Sequence, residues 1–319
     1  MPPAWLGSLW HLLVLGDTSV PILIQGSLAL LAPAFFLWLI TRVLAGTFSQ
    51  RLQALTEGRN DTPNLTGTDT VRAELGPWPR FWQGLLCASP PEAAAFALSW
   101  KMTARSRDYK LRVYPSLAFL PMMFFYFGVA QGEGSLAERW QEVQMGYHYL
   151  LLGYFSLFLV ITPLTSTYFS DQYAAAWVFP ASPVARPGEL LAGTFSAIMV
   201  RFMLPGFLLL LLSAGLIWGP YALDDVLLAG LICVAMALIM MQVKRPGLPF
   251  AEPWANAQRG AHTTTNLLLT VLIGLLGLAH YLLADFQVLI RIGLVVAAVG
   301  VVILFRLYRR QGWEGMGVD

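Results

Sequence analysis

The densest group of charged side chains follows a helix start at Ser89. The motif Ser89-Pro90-Pro91-Glu92 combines an N-cap residue, prolines in the first turn and a glutamate at the capping-box position. The second half of the predicted helix carries six charged residues: Lys101, Arg105, Arg107, Asp108, Lys110 and Arg112. Four of them recur at spacings of four, three and four and are expected to share one helical strip: Lys101, Arg105, Asp108 and Arg112. Such a helix end suits contact with water, with another protein or with anionic lipid rather than catalysis.

A second candidate contact segment, residues 168–200, combines Asp171, Trp177 and Phe179 with several prolines. The prolines interrupt it too often for a membrane span. Trp177 and Phe179 are therefore expected at the membrane interface or against a partner protein. The alternative interpretation is a plain turn that returns the chain to the membrane.

Side chains that could perform catalysis are sparse. Of the four histidines, His148 and His280 fall near the outer ends of predicted spans, where a pair of histidines could bind haem. A single histidine at a helix end is more often a hydrated interfacial residue. The sequence contains no HExxH, GxSxG or GxxxxGK[ST] motif. We therefore predict no catalytic, cofactor or metal site in this chain and expect any ATP to be bound by a partner.

Polar residues inside predicted spans usually mark a transport path or a helix contact. Four are candidates for such a role: Thr165, Arg201, Asn266 and Arg291. Arg291 carries the greatest desolvation cost, and we expect it to extend toward the outer interface or to pair with Asp285. Cys87 and Cys233 are expected at different depths, which argues against a disulfide.

The elements that must position these residues are membrane helices. The 319 residues are 57% hydrophobic and 12% charged, whereas soluble domains carry about 25% charged residues. The apolar residues form seven runs that could cross a bilayer: 20–44, 115–131, 145–167, 202–218, 226–242, 264–284 and 286–305. The sequence therefore predicts an all-α polytopic membrane protein of about seven spans with cytoplasmic interfacial helices.

Three regions follow from this pattern. Residues 1–46 form an interfacial helix and the first span, residues 47–89 a cytoplasmic linker, and residues 90–319 a six-span transmembrane domain. Within that domain we name residues 90–114 the arm and residues 168–200 the elbow. Eighteen of the twenty Lys and Arg residues fall on one side of the predicted topology. That side is expected to be cytoplasmic and to include the C-terminus.

An odd number of spans places the N-terminus outside. This arrangement raises the hypothesis that the chain is one portion of a longer or split permease. The net charge of +2 does not suggest nucleic-acid binding, because the basic residues lie in loops between apolar runs.

Residues 90–255 resemble the membrane subunits of bacterial ATP-binding-cassette exporters of the type-two class. The resemblance rests on the arm sequence Arg105-Ser106-Arg107-Asp108-Tyr109-Lys110-Leu111-Arg112 with Trp100 and Pro115, and on Asp171 through Pro183 in the elbow. It extends to Pro187-Gly188-Glu189-Leu190, to Arg201 with Pro205, and to Leu248-Pro249-Phe250. Such permeases dock short cytoplasmic helices on a separate ATPase subunit and work as pairs of copies or of paralogous halves.

The resemblance implies a multi-pass exporter subunit in the bacterial inner membrane. The arm and the elbow would then be the segments that contact the ATPase, with Lys101, Arg105, Arg107, Asp108, Lys110, Arg112, Asp171 and Trp177 as the contacting residues. Two alternatives stay open: a scaffold subunit of a larger membrane complex, and a haem-bearing or catalytic membrane protein.

Overall fold

A computed structural model describes residues 75–118, 135–243, 247–258 and 263–314, with the separate positions 22, 27, 121, 122, 125 and 126. The chain divides into two units, Met1–Ala73 and Glu74–Asp319, and everything below concerns the second. The first predicted span and most of the second lie outside the described residues. The regular structure of the described part is helical, apart from one isolated parallel bridge between Phe169 and Glu252.

Among the described residues before 187 there are seven helices, which we number in chain order: α1 Pro77–Leu86, α2 Pro90–Arg105, α3 Arg107–Leu117, α4 Leu136–Met145, α5 Tyr149–Phe155, α6 Phe158–Ser166 and α7 Val178–Ala181. A 3-10 turn at Tyr173–Trp177 precedes α7. The arm is therefore formed by α2 and most of α3, and the elbow begins after α6.

Longer helices follow: α8 Pro187–Ile198, α9 Leu204–Ile217, α10 Tyr221–Val243, α11 Thr263–Leu283 and α12 Gln287–Arg309. A π-helical segment, Met199–Met203, joins α8 to α9. Among the described residues, four helical stretches are long and apolar enough to cross a membrane: Tyr149–Ser166, Pro187–Ile217, Tyr221–Val243 and Gln287–Arg309. A shorter apolar stretch, Val271–Leu283, lies in α11. Seven spans stay a prediction.

The fourth predicted span begins earlier than expected. Its helix starts at Pro187 rather than at residue 202, and nearly all of α8 is buried, so residues 187–198 are not an exposed cytoplasmic segment. The sequence pattern was misleading because Arg201 and Pro205 resemble a span entrance. The π-helical segment lies immediately before Pro205, where a proline lacks the N–H of a regular helix.

The arm is also not one continuous helix. The backbone is extended at Ser106, which ends α2 and caps α3 by accepting a hydrogen bond from the Tyr109 amide. Serine is a strong N-cap residue, and this preference decides the break although no glycine or proline is present. Lys101 and Arg105 therefore belong to one helix and Asp108 and Arg112 to another, so the single charged strip predicted from spacing is wrong.

The hydrophobic core lies between α5, α6, α8, α9 and α10. Its buried members include Val160, Leu191, Ile198, Val226 and Leu238. In contrast, only 6% of the apolar stretch of α12 is buried, although α12 packs along α10. One face of the bundle therefore remains available to lipid or to another protein.

Candidate functional site

The first half of the arm packs directly on α8, the first part of the helical stretch Pro187–Ile217, which we call the long helix. A side-chain carbon built on Gly193 of α8 would stand 2.1 Å from the Glu92 carbonyl oxygen of α2. Nearby, the Ser99 hydroxyl donates to Thr194 Oγ1 at 2.9 Å, and Phe96 is fully buried. Helix backbones approach this closely only where small residues line the contact. The arm and α8 therefore form one tightly packed helix pair.

Arg201 fixes the other end of this pair. Its Nη1 donates to the Trp100 carbonyl oxygen at 2.7 Å, and its guanidinium carbon lies 4.9 Å from the Trp100 ring centre. Cation–π contact of this kind adds to the hydrogen bond where the groups are shielded from water. The predicted intramembrane residue Arg201 thus joins the π-helical segment to the arm.

A buried ion pair holds the start of the arm. Glu92 is fully buried, and its Oε2 lies 3.0 Å from Nη2 of Arg309 at the end of α12. The same oxygen accepts a hydrogen bond from the Ala88 amide, and Ser89 donates to Glu189 at 2.6 Å. Ser89 makes no side-chain cap hydrogen bond, so the predicted capping box is wrong although α2 starts at the predicted position. The Ser89 and Glu92 side chains instead contact α8 and α12.

The second half of the arm contacts the elbow. Asp108 of α3 and Asp171 of the elbow share a side-chain hydrogen bond, and the Arg112 guanidinium lies 5.8 Å from the Phe169 ring centre. Desolvation and the nearby Asp108 carboxylate both raise the pKa of Asp171. Two carboxyl groups share a hydrogen bond only when one of them is protonated. The contact between arm and elbow is therefore sensitive to pH.

The loop after α10 joins the same cluster. The Phe250 amide donates to the Thr167 carbonyl oxygen at 2.7 Å, and the Ser170 amide donates to Glu252 at 2.8 Å. Phe250 adopts a left-handed backbone conformation with φ of 58°, which is strained for a bulky residue and is supported by these bonds. Arm, elbow, this loop and the end of α12 therefore meet at one end of the bundle.

Exposed groups at this end form a possible docking surface. A groove of about 460 Å³ lies along α3 and the preceding turn; it is lined by Arg105, Arg107, Lys110, Leu111, Tyr114 and Pro115. Lys101 is half-buried, and Trp177 is 69% exposed. Phe179, the other predicted contact aromatic, is buried against the chain's own Ala95, Leu190 and Leu248. Trp177 is thus the most exposed aromatic residue of the elbow, ahead of Tyr173 at 45%.

The four predicted intramembrane polar residues do not converge. The Thr165 hydroxyl donates to the Ile161 carbonyl oxygen within its own helix. The side chain of Asn266 lies outside the described residues. Arg291 pairs with Asp224 at 3.0 Å and its side chain is 73% exposed, so of the two predicted alternatives the pairing with Asp285 is wrong. Asp285 instead accepts a hydrogen bond from Tyr147. Asp285 lies in the turn before α12, six residues from Arg291, and the two therefore do not have the spacing of three or four of a pair on one helix face.

A buried polar network at the opposite end was not predicted. Asp225 is fully buried and accepts a hydrogen bond from the Tyr149 hydroxyl at 3.0 Å. Its other oxygen lies 3.2 Å from His280 Nε2, and His280 Nδ1 lies 3.1 Å from the Tyr154 hydroxyl. This Asp225 network joins α5, α10 and α11. The sequence signal was an aspartate four residues inside an apolar helix, which the span boundary at 226 had assigned to a loop.

The contacts of His280 bear on the hypothesis that His148 and His280 bind haem. Both ring nitrogens of His280 are engaged by neighbouring side chains, which leaves neither of them for a metal ion. Within the described residues, no group of three or more His, Cys, Asp and Glu side chains could hold a metal. The geometry of His280 therefore argues against its use as a haem ligand.

The contact between the Asp108 and Asp171 carboxyl groups predicts how the stability of the chain depends on pH. The pKa of Asp171 is higher in the folded chain than in the unfolded chain. The free energy of unfolding therefore falls as the pH rises through the raised pKa and Asp171 ionises. Asp171→Asn removes the repulsion and should raise the unfolding temperature of purified protein at pH 7. The gain should correspond to less than about 1 kcal/mol, since exposed charges are screened.

The difference between Asp171→Asn and the parent chain should shrink as pH falls below the raised pKa. Thermal unfolding at several pH values measures this difference. A gain that is the same at every pH would contradict the assigned carboxyl pair.

Comparison of the chain with protein-family models, with curated proteins and with solved structures finds no match in any of the three.

Proposed function

We propose that this chain is the transmembrane permease subunit of an exporter driven by a separate ATP-binding subunit. The observation that carries the proposal is the packing of the arm on the long helix at Gly193 and Arg201. A force applied to the arm reaches a membrane-crossing helix through direct backbone contact. Because packed helix pairs move as units rather than deform, such a contact transmits displacement efficiently.

The docking surface consists of the basic groove on the arm and Trp177 on the elbow. Three cations line the groove, and an exposed aromatic residue accompanies them. Arginine and exposed aromatic residues are enriched among those that carry the binding energy of protein interfaces. The ATP-binding subunit would therefore present acidic groups to the groove and an apolar pocket to Trp177.

This assignment fixes an orientation. The end that holds the arm, the elbow and Arg309 faces the cytoplasm, and the Asp225 network lies near the outer face of the bacterial inner membrane. The exposed apolar faces of α11 and α12 suit lipid and a second permease copy or a paralogous half.

The proposal is tested by purification of the tagged chain from its native membrane in mild detergent. We expect an ATP-binding subunit with a phosphate-binding loop to co-purify in stoichiometric amount and to hydrolyse ATP faster with the chain than without it. Purification without any ATP-binding protein would contradict the proposal. Co-purification of partners without any effect on hydrolysis would instead indicate the scaffold role.

Charge reversal on the arm gives a second test. The triple variant Arg105→Glu, Arg107→Glu and Arg112→Glu should lower stimulated ATP hydrolysis at least about tenfold, because each interfacial charge contributes about 1 kcal/mol or more. Membrane insertion should fall less than ATP hydrolysis, since Arg105, Arg107 and Arg112 are exposed and fifteen of the eighteen basic residues on that side remain. The measurement is the ATPase rate of the reconstituted pair.

Arg139→Glu serves as a control at the other end of the bundle, where α4 contacts Trp218 through the Val143 carbonyl oxygen. This variant should leave ATP hydrolysis unchanged. Equal rates in the triple variant and the parent chain would remove the arm from the mechanism.

A further inference from the structure

A large apolar cavity lies between α5–α6, α10 and α11. Its volume is about 1010 Å³, at the top of the range of about 300–1,000 Å³ for small-molecule sites. It extends along α5 and α6 from Tyr147 to Thr162, about 22 Å at the helical rise of 1.5 Å per residue. This length covers most of a hydrocarbon layer of about 30 Å.

Two features of α11 create the space. Gly274 and Gly277 present no side chain to the cavity, and a carbon built on Gly274 would meet no atom within 4 Å. One turn further along, Tyr154 hydrogen-bonds the Leu276 carbonyl oxygen and His280, which holds this part of α11 against α5. The cavity is therefore bounded by defined contacts rather than by a loosely packed helix.

The lining is asymmetric along its length. Most of it is aliphatic or thioether in character, with Leu157, Ile161, Met236, Met240 and Ile273 among the lining residues. Tyr154 and Thr162 are the polar exceptions along this apolar part. The outer end instead groups Tyr147, His148 and Tyr281.

His148 is one of the polar residues at the outer end of the lining. Its Nδ1 atom is buried and has no hydrogen-bond partner among the described residues. Such an atom is normally hydrogen-bonded, but this one faces the Gly146 backbone, so a ligand group reaches it only after the ring turns. Among the described residues that line the cavity there is no Asp, Glu, Lys or Arg, so these residues cannot form an ion pair with a charged headgroup.

From this geometry we infer that the cavity binds an uncharged amphipathic molecule with one extended apolar chain. The chain lies along the aliphatic lining, and a hydroxyl or amide headgroup bonds His148 at the outer end. The inference that this molecule is the cargo of the exporter rests on the proposed function, whereas the inference that it binds to the isolated chain does not. A monoacylglycerol has the required chemistry and serves as the probe.

The experiment measures equilibrium binding of radiolabelled monoacylglycerol to the purified chain in detergent, without nucleotide or partner. We expect saturable binding of one molecule per chain. Gly274→Trp fills the cavity from a position with open space and should abolish the saturable binding. Gly300→Trp is the matched control, because Gly300 also meets no atom within 4 Å but lies on α12 outside the cavity; it should bind like the parent chain.

A second variant tests the headgroup. His148→Phe keeps a ring of similar shape but removes the hydrogen bond, and it should weaken binding about fivefold to tenfold, the equivalent of roughly 1 kcal/mol. An alkane of the same chain length should compete poorly with the probe. This variant also tests binding at the cavity if Gly274→Trp does not fold, since its ring has only one atom more than that of histidine.

Binding that does not saturate, or that is equal in Gly274→Trp and Gly300→Trp, would show lipid association at the outer surface only and would overturn the inference. Equal affinity of His148→Phe and the parent chain would overturn the headgroup assignment. These outcomes are separate from the co-purification test, which can fail while the probe still binds.

Discussion

Gly193→Ala is expected to lower the free energy of unfolding by about 1–3 kcal/mol, the range for an added group in a closely packed contact. The new carbon would stand 2.1 Å from the Glu92 carbonyl oxygen, a backbone atom that no side-chain rotation can remove. Either the arm moves away from α8 or both helices distort. Thermal or denaturant unfolding of the purified chain measures the loss.

The same substitution should also reduce stimulated ATP hydrolysis, because it separates the arm from the long helix that the arm is proposed to move. The matched control is Gly300→Ala on α12, where the new carbon meets no atom within 4 Å. Alanine normally stabilises a helix by about 0.5–1 kcal/mol relative to glycine, so the two variants should change stability in opposite directions. A stabilised Gly193→Ala protein would contradict the close contact between arm and long helix.

Asp225→Ala is expected to lower the stability by about 3–5 kcal/mol, as for removal of one partner of a buried pair. The Tyr149 hydroxyl and the His280 ring would both lose their buried acceptor. Because the Asp225 network joins α11 to α5 and α10, hydrogen exchange in α11 should rise together with the loss of stability. Asp225→Asn should fall between the two proteins, since its amide oxygen still accepts a hydrogen bond from Tyr149.

The neighbouring residue provides the control. Asp224 pairs with Arg291, whose side chain is 73% exposed, and exposed pairs contribute about 0–1 kcal/mol. Asp224→Ala should therefore change the unfolding transition little. If Asp224→Ala and Asp225→Ala lower the free energy of unfolding by the same amount, the Asp225 network does not hold the outer end together.

Helix periodicity and charge accounted for much of the fold. The long apolar runs predicted the helices from residue 145 onward to within a few residues, except at the start of the fourth. Those runs are local features, and a membrane requires every backbone group in them to bond within its own helix. Helix capping at Ser106 is also a local feature. Whether Ser106 ends one helix and caps the next, or lies inside a single continuous helix, is not decided by the spacing of the charged residues.

Contacts between distant residues could not be predicted in this way. Asp225 and His280 are 55 residues apart, and Glu92 and Arg309 lie at opposite ends of the described chain. No periodicity relates their positions, and without homologous sequences no covariation indicates them. The predicted partner of Arg291 was wrong for the same reason, because the nearest acidic residue in sequence is not the nearest in space.

The amino-acid sequence by itself determined that this chain forms helices long and apolar enough to cross a membrane, since that capacity depends on composition and length alone. The tertiary structure alone decided which helix the arm packs on, because that choice depends on Gly193 meeting the Glu92 backbone. It also decided which aspartate is buried, since adjacent residues on a helix point about 100° apart and only packing shows which one faces the core.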